Sequence, residues 1–567
     1  MDQIAGIKEW EQKDWKVWTL SADGQKKTRT VHDAVAEALI ACGTECLFGL
    51  IGDANLFMVD SLVRNHNVRY VPATHEANAV LMAIGYAQRT GRTGVATITH
   101  GPALTNAMTA LVEGAKGAIP MVLICGDTPP DNLQHLQKID QRELVAATGA
   151  GFVELRKPET VVDDIATAFR RAHLERRPIV LNMRVDLQWE ACSAVAGKLR
   201  MPETRAPAPT GTDLDEALGI IAGARRPIIL AGRGATGKEA REALIRLARQ
   251  IEAPLATTLK ASGLFEGESW NLGIFGGLSH PATVELIMQS DCIIAFGASL
   301  SRHTTESGSF VRGKRIVQIM QRATDLVSNV VPTIGLVGDA ALTADVMCEM
   351  LREAEIEPSG FASGEGPKLA NVIAEAAEKK RVSAPGVVDL DTALARLNEV
   401  VPARRTVATD LGRFCTTAWL AFPVVGPERF IHTAHFAAIG LGLGEAIGAA
   451  IAARGEPVIM VAGDGGFMLG GLSEIATAVQ EKLDLIMVIC NDGSYGAEHI
   501  QFTNRAMNPA LSMIGSRDFA AIARSLGAAG VSVQSEADIQ TACDAIRHRS
   551  GPLLIDLKLD ANDVPMR

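Results

Sequence analysis

The sequence predicts an α/β protein of three domains, each built around a parallel β-sheet. The chain has 567 residues, which is more than a single hydrophobic core usually contains, so several domains are expected. Short apolar runs alternate along it with helical stretches, which is typical of parallel sheets. Two polar stretches rich in proline, glycine or serine, 196–212 and 356–386, interrupt this alternation and are predicted to be linkers.

The predicted first domain covers residues 30–195 and follows an N-terminal extension, 1–29. The extension contains three tryptophans and mixed charge but no apolar signal-peptide core, so we expect it to pack on the protein's own surface or on a partner subunit. Five apolar runs in this domain are predicted to be strands: Cys46–Ile51, Val68–Pro72, Val95–Thr99, Met121–Cys125 and Ile179–Asn182.

The predicted central domain, 213–355, contains a glycine motif that matches the dinucleotide-binding fingerprint. Gly232-Arg-Gly-Ala-Thr-Gly237 directly follows the predicted strand Pro227–Ala231. The next predicted strand, Pro254–Thr258, leads into Leu259-Lys260 rather than into an acid for the ribose hydroxyls, so we do not expect NAD(P) binding. Two further strands are predicted, at Cys292–Phe296 and Arg315–Ile319.

The composition limits the classes of molecule that this protein is expected to bind. The net charge of -10 and the pI near 5.7 provide no basic surface for nucleic acid or anionic lipid, which leaves small molecules as the expected partners. The nine cysteines show no CxxC spacing and are predicted to be buried thiols in a reducing compartment. No apolar run is long enough to span a membrane, so we expect a cytoplasmic protein.

The predicted third domain, 387–567, carries a pair of oxygen-bearing side chains at strand ends. Asp464, in Gly463-Asp464-Gly465-Gly466, follows the apolar run Pro457–Ala462. Asn491 comes twenty-seven positions after Asp464 and directly follows a second run, Leu485–Cys490. A helix starting in 473–480 fits between the two strands, and a last strand is predicted at 552–557. The carboxyl ends of neighbouring parallel strands share one edge of a sheet, so Asp464 and Asn491 are predicted to lie together.

This pair predicts a magnesium-diphosphate site. Mg²⁺ prefers oxygen ligands and is commonly held by one or two protein groups together with phosphates. We expect the Asp464 carboxylate, the Asn491 amide oxygen and the Gly493 carbonyl to be its ligands, while the glycines allow close backbone approach. An acidic loop that caps a helix would account for Asp464 but not for Asn491.

The two motifs resemble the diphosphate-binding motif of thiamine-diphosphate enzymes. Cys490 stands where that family has the first of two asparagines. The three-domain order is similar to that of the branch containing pyruvate oxidase, acetolactate synthase and benzoylformate decarboxylase, over nearly the whole chain. This resemblance implies thiamine diphosphate and Mg²⁺ as cofactors, with the aminopyrimidine on the first domain and the diphosphate on the third. It also implies sites at a subunit interface, hence a homodimer as the minimal active unit; a homotetramer is expected.

Glu76, in His75-Glu76-Ala-Asn-Ala79, is the catalytic residue that the resemblance implies. A carboxylate bonded to the pyrimidine N1′ promotes the tautomer whose 4′-nitrogen removes the thiazolium C2 proton. The alternative is a glutamate that stabilises a helix N-terminus through the helix dipole.

The resemblance also assigns cofactor contacts in the third domain. His432 to Gly442 resembles the loop on which the cofactor bends, with Ile439 between the two rings and the Ala437 carbonyl accepting from the 4′-amino group. Ile439 would equally suit a hydrophobic core. Asp410-Leu-Gly412-Arg413 resembles the loop near the diphosphate, although Arg413 replaces the usual glutamine and would supply a charged donor. The other expected cofactor contacts are Gly463, Gly465, Gly466, Gly493, Ser494 and Tyr495.

His100 is the residue that bears most on the substrate. It follows a first-domain strand, at a position where enzymes resembling benzoylformate decarboxylase have a catalytic histidine and acetolactate synthases have serine. An imidazole there suits proton transfer near neutral pH, whereas the alternative is a ring bonded to the backbone of the Gly-Pro turn. Ala150 replaces a lysine of acetolactate synthases. The other expected pocket residues are Gly52, Asp53, Asn55, Gln137, Tyr495, Glu498 and His499.

The predicted function is thiamine-diphosphate and Mg²⁺-dependent cleavage or formation of a C–C bond next to a carbonyl, as in a 2-oxoacid decarboxylase, acyloin lyase or carboligase acting on a small carbonyl compound. One alternative is an acetolactate synthase or pyruvate oxidase with FAD, which the lack of clear flavin-contacting residues disfavours. A 2-hydroxyacyl-CoA lyase is another, disfavoured because little chain follows the last strand to cover CoA. A catalytically silent cofactor-binding subunit is disfavoured because Glu76, Asp464 and Asn491 are all present.

Overall fold

Three parallel sheets of six strands organise the chain, which confirms the predicted fold class. The structure is a computed structural model that describes residues 29–202, 205–326, 329–364 and 384–563. The predicted extension, except for residue 29, and most of the predicted linker 356–386 lie outside these ranges. No helix within the described ranges combines the length and the apolar character needed to cross a bilayer.

The first sheet has the strand order β2-β1-β3-β4-β6-β5. Its strands are β1 (Cys46–Gly49), β2 (Arg69–Pro72), β3 (Gly94–Ile98), β4 (Met121–Asp127), β5 (Gly151–Glu154) and β6 (Pro178–Arg184). The helices of this domain are α1 (Val31–Ala41), α2 (Leu56–His66), α3 (Glu76–Thr90), α4 (Pro102–Asn106), α5 (Met108–Lys116), α6 (Gln141–Thr148) and α7 (Val161–Glu175).

The central sheet has the order β12-β11-β10-β7-β8-β9, the doubly wound arrangement of dinucleotide-binding folds. Its strands are β7 (Pro227–Ala231), β8 (Leu255–Thr257), β9 (Asn271–Ile274), β10 (Cys292–Phe296), β11 (Arg315–Met320) and β12 (Ile334–Val337). Its helices include α8 (Thr212–Ala222), α9 (Lys238–Ile251), α10 (Pro281–Gln289) and α11 (Ala340–Glu353). Because α8 begins at Thr212, the last residue of the predicted linker 196–212 is helical.

The third sheet, β14-β13-β15-β16-β18-β17, repeats the strand order of the first. Its strands are β13 (Thr406–Thr409), β14 (Phe430–His432), β15 (Val458–Gly463), β16 (Leu485–Asn491), β17 (Ala529–Val533) and β18 (Leu553–Lys558). Its helices are α12 (Leu390–Val400), α13 (Cys415–Ala421), α14 (Gly442–Ala453), α15 (Asp464–Gly466), α16 (Ile475–Gln480), α17 (Gly496–Asn504), α18 (Phe519–Ser525) and α19 (Glu536–His548).

Helices α3 and α14 join the first and third domains through direct backbone contact. A Cβ atom on Gly85 would lie 2.0 Å from the Glu445 carbonyl oxygen, and one on Gly448 would lie 1.9 Å from that of Met82. Only glycine fits at both positions, so the helices cross more closely than side chains would permit. One hydrophobic cluster extends through this crossing from the first sheet to the third. The crossing therefore fixes how these two domains lie relative to each other.

Candidate functional site

Asp464 and Asn491 lie side by side at the carboxyl edge of the third sheet. The residues just before them, Gly463 and Cys490, are register partners in β15 and β16. Asp464 is buried, and its two carboxylate oxygens accept the N–H groups of Gly465 and Gly493, both at 2.9 Å. Burial, with a smaller contribution from the nearby Asp492 carboxylate, raises the pKa of Asp464 to about 7. The protein alone therefore stabilises the ionised carboxylate poorly, and a bound cation would stabilise it.

The amide of Asn491 is held in one orientation. Its Nδ2 donates to the Arg517 carbonyl and to the buried Asp556 carboxylate, each at 2.8 Å. Its Oδ1 accepts only a 3.2 Å bond, from the Ser516 hydroxyl. A carboxylate and an amide oxygen at adjacent strand ends form a donor set that suits Mg²⁺, with the remaining positions left to phosphate and water. The described residues contain no group of three or more His, Cys, Asp or Glu side chains that would hold a metal alone.

The Gly493 carbonyl oxygen accepts two hydrogen bonds in this structure, and its predicted role as a metal ligand stays a prediction. That oxygen accepts the N–H groups of Ile514 at 2.8 Å and Gly515 at 3.1 Å, so both of its lone pairs are engaged. The chain folds back here because Ser494 and Met513 form an antiparallel bridge. Gly493 also contributes its N–H group, which binds Asp464.

The glycines after Asp464 leave room for neighbouring side chains. A Cβ atom on Gly465 would lie 2.8 Å from the Tyr495 ring, and one on Gly466 would lie 2.8 Å from the Asp410 carboxylate. The helical turn begins at Asp464 itself and continues as a π-helix over Phe467–Gly471. This is earlier than the predicted start in 473–480. Such π-helical segments are frequent at functional sites.

Residues 435–440, which we call the 435–440 loop, have the features expected of the bend on which a cofactor rests. Ala437 is exposed and adopts a left-handed conformation with φ of 60°, a strained state for a residue other than glycine. Ile439 is half-buried, and Gly440 donates its N–H to the Asp410 carboxylate at 2.9 and 3.0 Å. Burial raises the pKa of Asp410 to about 6. The predicted cofactor contacts of Ala437 and Ile439 remain predictions.

Arg413 bonds groups within the protein, and its predicted contact with a diphosphate stays a prediction. Its buried guanidinium donates to the Asp492 carboxylate at 2.9 Å and to the Ala561 carbonyl. The Ser494 N–H and hydroxyl bind the same Asp492 carboxylate. These bonds occur because Asp492 needs donors in a buried site. The adjacent Gly412 leaves space for the Phe414 ring.

Glu76 is the first residue of α3, and its carboxylate has a partner. Oε2 accepts from the Asn106 amide at 3.0 Å, while His75 caps the helix by accepting the Ala77 N–H. The turn before Glu76 is held by the third domain, because the Glu474 carboxylate accepts the Thr74 N–H at 2.8 Å. The sequence had not indicated Glu474, whose partners in the first domain are 399 and 400 positions away.

His100 lies at the end of β3 and is only 1% exposed. Its Nδ1 lies 3.1 Å from the Thr99 hydroxyl and 3.7 Å from the Asp53 carboxylate, and its ring centroid is 5.3 Å from that of His135. Nε2 is buried and has no hydrogen-bond partner among the described residues. Burial lowers the pKa of His100, which keeps the imidazole neutral at neutral pH. The predicted alternative, a ring bonded to the backbone of the Gly-Pro turn, is not what the structure shows.

Two predicted pocket residues have their side chains occupied within the fold. Asn55 is fully buried and bonds Gly52 and Leu50 backbone groups and the Thr97 hydroxyl, so it stabilises the loop that carries Asp53. His499 is buried and bonds Ser512 and Asn562 through its two ring nitrogens. Both side chains have the partners that buried polar groups need, and their predicted pocket role stays a prediction.

The other predicted pocket residues are more accessible. Tyr495 and Glu498 are exposed at the start of α17, and Asp53 is exposed beside His100. Gln137 lies in the segment between β4 and α6. The backbone of Gln137 is so close to Gly101 that a side chain at position 101 would not fit. The sequence had not indicated Gln141, which is buried and joins the Gly101 N–H to the Asn182 side chain.

The central glycine motif serves packing. A Cβ atom on Gly232 or on Gly234 would come within 3 Å of the Gly297 backbone after β10. Beside this motif, a cavity of about 1180 Å³ lies where residues of the three domains meet. Its lining includes Arg233, Lys260 and His435. Burial lowers the pKa of Arg233 to about 10 and that of Lys260 to about 8.

The fold has two α/β domains of equal topology, one before and one after a Rossmann-like domain. One of the two carries the Asp–Asn pair and the other carries a glutamate at a helix terminus. Together these features define the class of thiamine-diphosphate enzymes. Comparison with known families agrees. The N-terminal TPP binding domain of thiamine pyrophosphate enzymes matches residues 29–144, the central domain matches 214–347 and the C-terminal TPP binding domain matches 410–557. The chain belongs to the thiamine pyrophosphate enzyme family, in the branch of acetolactate synthases and related decarboxylases.

Three relatives illustrate the range of this branch. The chain is 24% identical to the acetolactate synthase isozyme 1 large subunit of Escherichia coli, with 96% of this chain and 97% of that protein aligned. It is 28% identical to the probable 2-ketoarginine decarboxylase AruI of Pseudomonas aeruginosa, with 94% of each aligned. It is 27% identical to the sulfoacetaldehyde acetyltransferase of Alcaligenes xylosoxydans xylosoxydans, with 92% of each aligned.

Proposed function

We propose that this protein uses thiamine diphosphate and Mg²⁺ to cleave or form a C–C bond next to the carbonyl of a small-molecule substrate. The observation that carries the proposal is the buried Asp464 carboxylate beside the Asn491 amide, in a chain that also presents Glu76. Asp464 and Asn491 would hold the metal and, through it, the diphosphate. Glu76 would hold a proton at the pyrimidine. The bound cofactor supplies an electron sink for the bond that breaks or forms.

The test is a substrate panel with the holoenzyme. Because the relatives' names cover a synthase, a decarboxylase and an acetyltransferase, the panel combines 2-oxoacids, diketones and acyloins with carbonyl compounds and other candidate acetyl acceptors, with products followed by NMR. Turnover of one class that requires both cofactor and Mg²⁺ supports the proposal. Cofactor binding without turnover of any compound supports a silent subunit instead. An absorption spectrum of the purified protein separates the FAD alternative, which requires a yellow protein.

His100 is proposed to transfer a proton to or from the substrate. Replacing it with phenylalanine is expected to lower kcat by about 100-fold without changing cofactor affinity, because the ring lies at a different strand end from Asp464. In wild type, activity should fall as pH drops through the pKa of His100, which lies below its usual value of 6.5. His66→Gln, at the exposed end of α2, is the control. Full activity in His100→Phe would remove His100 from the mechanism.

We also propose that the active unit is a homodimer whose two sites each combine the first domain of one subunit with the third domain of the other. Large apolar side chains are exposed on both domains in the segments next to the site. They include Leu133, Leu136 and Ile139 between β4 and α6, and Met468, Leu469, Leu511 and Met513 in the third domain. Exposed apolar surface of this kind is typical of a protein interface. A homotetramer would pair two such dimers.

Mixing two inactive variants tests the shared site. A heterodimer of Glu76→Gln and Asp464→Ala subunits has one doubly altered site and one intact site. Random assembly should therefore restore about a quarter of wild-type activity, because half of the dimers are mixed and each has one working site. Wild type diluted with an inactive, non-assembling protein gives the baseline. No recovery in a mixture shown by mass spectrometry to contain heterodimers would place both halves within one chain.

A cytoplasmic location is proposed from the thiol content. All nine cysteines are free, and seven of them are buried. Unpaired thiols in this number suit a reducing compartment.

A further inference from the structure

The 435–440 loop is held at both ends by buried carboxylates from different domains. Asp410, from the third domain, accepts the Gly440 N–H. Glu113, from α5 of the first domain, accepts the His435 N–H at 2.8 Å through Oε1 and the Phe436 N–H at 2.6 Å through Oε2. Ala437, the strained residue, directly follows the pair that Glu113 binds.

Each Glu113 oxygen accepts one N–H group, an arrangement that suits the ionised carboxylate, because a protonated carboxyl could direct its O–H toward one of these donors. It is fully buried, and burial raises its pKa; the two backbone bonds and the Lys260 ammonium act in the opposite direction. On the other side, Glu445 of α14 is also buried, and burial raises its pKa well above the usual value. Lys260 supplies a charge of opposite sign near Glu113.

The side chain of His435 is also held in place by contacts with two other domains. Its Nδ1 lies 2.9 Å from the Lys260 ammonium nitrogen. A Cβ atom on Gly117, at the end of α5, would lie 2.9 Å from its Cδ2, so the ring packs directly against that turn. The first and central domains thus fix the direction in which the chain enters Ala437. A left-handed alanine costs about 1–2 kcal/mol and persists only where its surroundings hold it.

We propose that Glu113 is a positioning residue: by binding the N–H groups of His435 and Phe436, its carboxylate holds Ala437 in the conformation that directs its carbonyl toward the cofactor. This inference rests on the proposed function, since the contact between Ala437 and the cofactor is part of it. Glu113 touches neither the metal ligands nor the substrate residues described above. Its effect is on cofactor alignment, exerted from another domain through two backbone bonds.

The first measurement needs no cofactor. Glu113→Gln keeps the size of the side chain but places an NH₂ donor against one of the two N–H groups. Hydrogen exchange of the amides of residues 435 and 436 in the cofactor-free protein should become about tenfold faster or more. Glu445→Gln is the matched control, because that carboxyl is equally buried but bonds the Gln88 side chain. Exchange at wild-type rates in Glu113→Gln overturns the proposal, whatever the activity.

The second measurement concerns the cofactor. By calorimetry with Mg²⁺, Glu113→Gln should bind thiamine diphosphate about tenfold more weakly. At saturating cofactor, kcat should fall while the substrate KM stays within twofold. Faster exchange with unchanged cofactor affinity and kcat also overturns the positioning role. If Glu113→Gln does not fold, Glu113→Asp, which is too short to reach both N–H groups, takes its place. Failure of wild type to bind the cofactor would instead refute the proposed function, with the exchange result unaffected.

Discussion

Glu76→Gln is expected to lower kcat by about 10³-fold or more while the fold and the cofactor affinity stay nearly unchanged. Glutamine retains an oxygen that accepts the Asn106 amide bond, so the local structure is preserved. It lacks the acidic group that would exchange a proton with the pyrimidine. Steady-state kinetics at saturating thiamine diphosphate and Mg²⁺, with circular dichroism of the folded protein, measure the effect.

The control distinguishes catalysis from helix stabilisation. Glu536 is the first residue of α19, as Glu76 is of α3, and it is exposed. If both glutamates only stabilise helix N-termini, the two glutamine variants should each lose less than about 1 kcal/mol of stability and keep their activity. Activity retained in Glu76→Gln would therefore refute its catalytic role, whereas a loss confined to that variant supports it.

Asp464→Asn is expected to abolish cofactor retention and, at the same time, to stabilise the cofactor-free protein. Asparagine keeps one oxygen, for only one of the Gly465 and Gly493 N–H groups, places an NH₂ donor against the other, and carries no charge to hold Mg²⁺. The pKa of Asp464 is raised from 3.8 to about 7, so its ionised form is unfavourable in the folded, cofactor-free protein. Above pH 7 the removal of that charge should outweigh the lost hydrogen bond, for a net gain on the order of 1–3 kcal/mol in the unfolding free energy.

The pH dependence follows from the direction of this shift. An acid whose pKa is higher in the folded state destabilises the fold most above the folded value and not at all below the unfolded value. The advantage of Asp464→Asn should thus be largest above pH 7 and shrink as the pH falls toward 4. Thermal unfolding across this range and calorimetric titration with thiamine diphosphate measure the two effects. A variant that is no more stable than wild type at pH 8 contradicts the view that the Asp464 charge destabilises the cofactor-free protein.

The long buried strands could be predicted because an apolar run bounded by polar turns has few other interpretations. The strands that the sequence did not indicate are short or partly exposed. Thr406–Thr409 has only four residues, two of them threonine, while Gly151–Glu154 and Ala529–Val533 lie at sheet edges with half-exposed residues. Local composition carries little information about such strands, which form because neighbouring strands supply their hydrogen bonds.

The residues of the candidate site also divide into those that the sequence could indicate and those that it could not. Asp464, Asn491 and Glu76 could be indicated because each lies in a local motif of fixed spacing. Glu113 and Glu474 could not, because their partners are more than 300 positions away and only the packing of two domains brings them together. For a related reason the sequence could not indicate the donors to the Gly493 carbonyl, because Ile514 and Gly515 follow a separate loop.

The glycine contacts between α3 and α14 restrict how this protein can acquire new specificities. Glu76 begins one of these helices, and the 435–440 loop leads into the other. Where two backbones touch, there is no side chain whose exchange for a larger or smaller one would adjust their spacing. Substitutions that accumulate over evolution or in a directed library can therefore change the walls of the pocket, such as the segment 128–140, but hardly the distance between these two helices. Selection for new substrates should leave Gly85 and Gly448 unchanged while the pocket walls diverge.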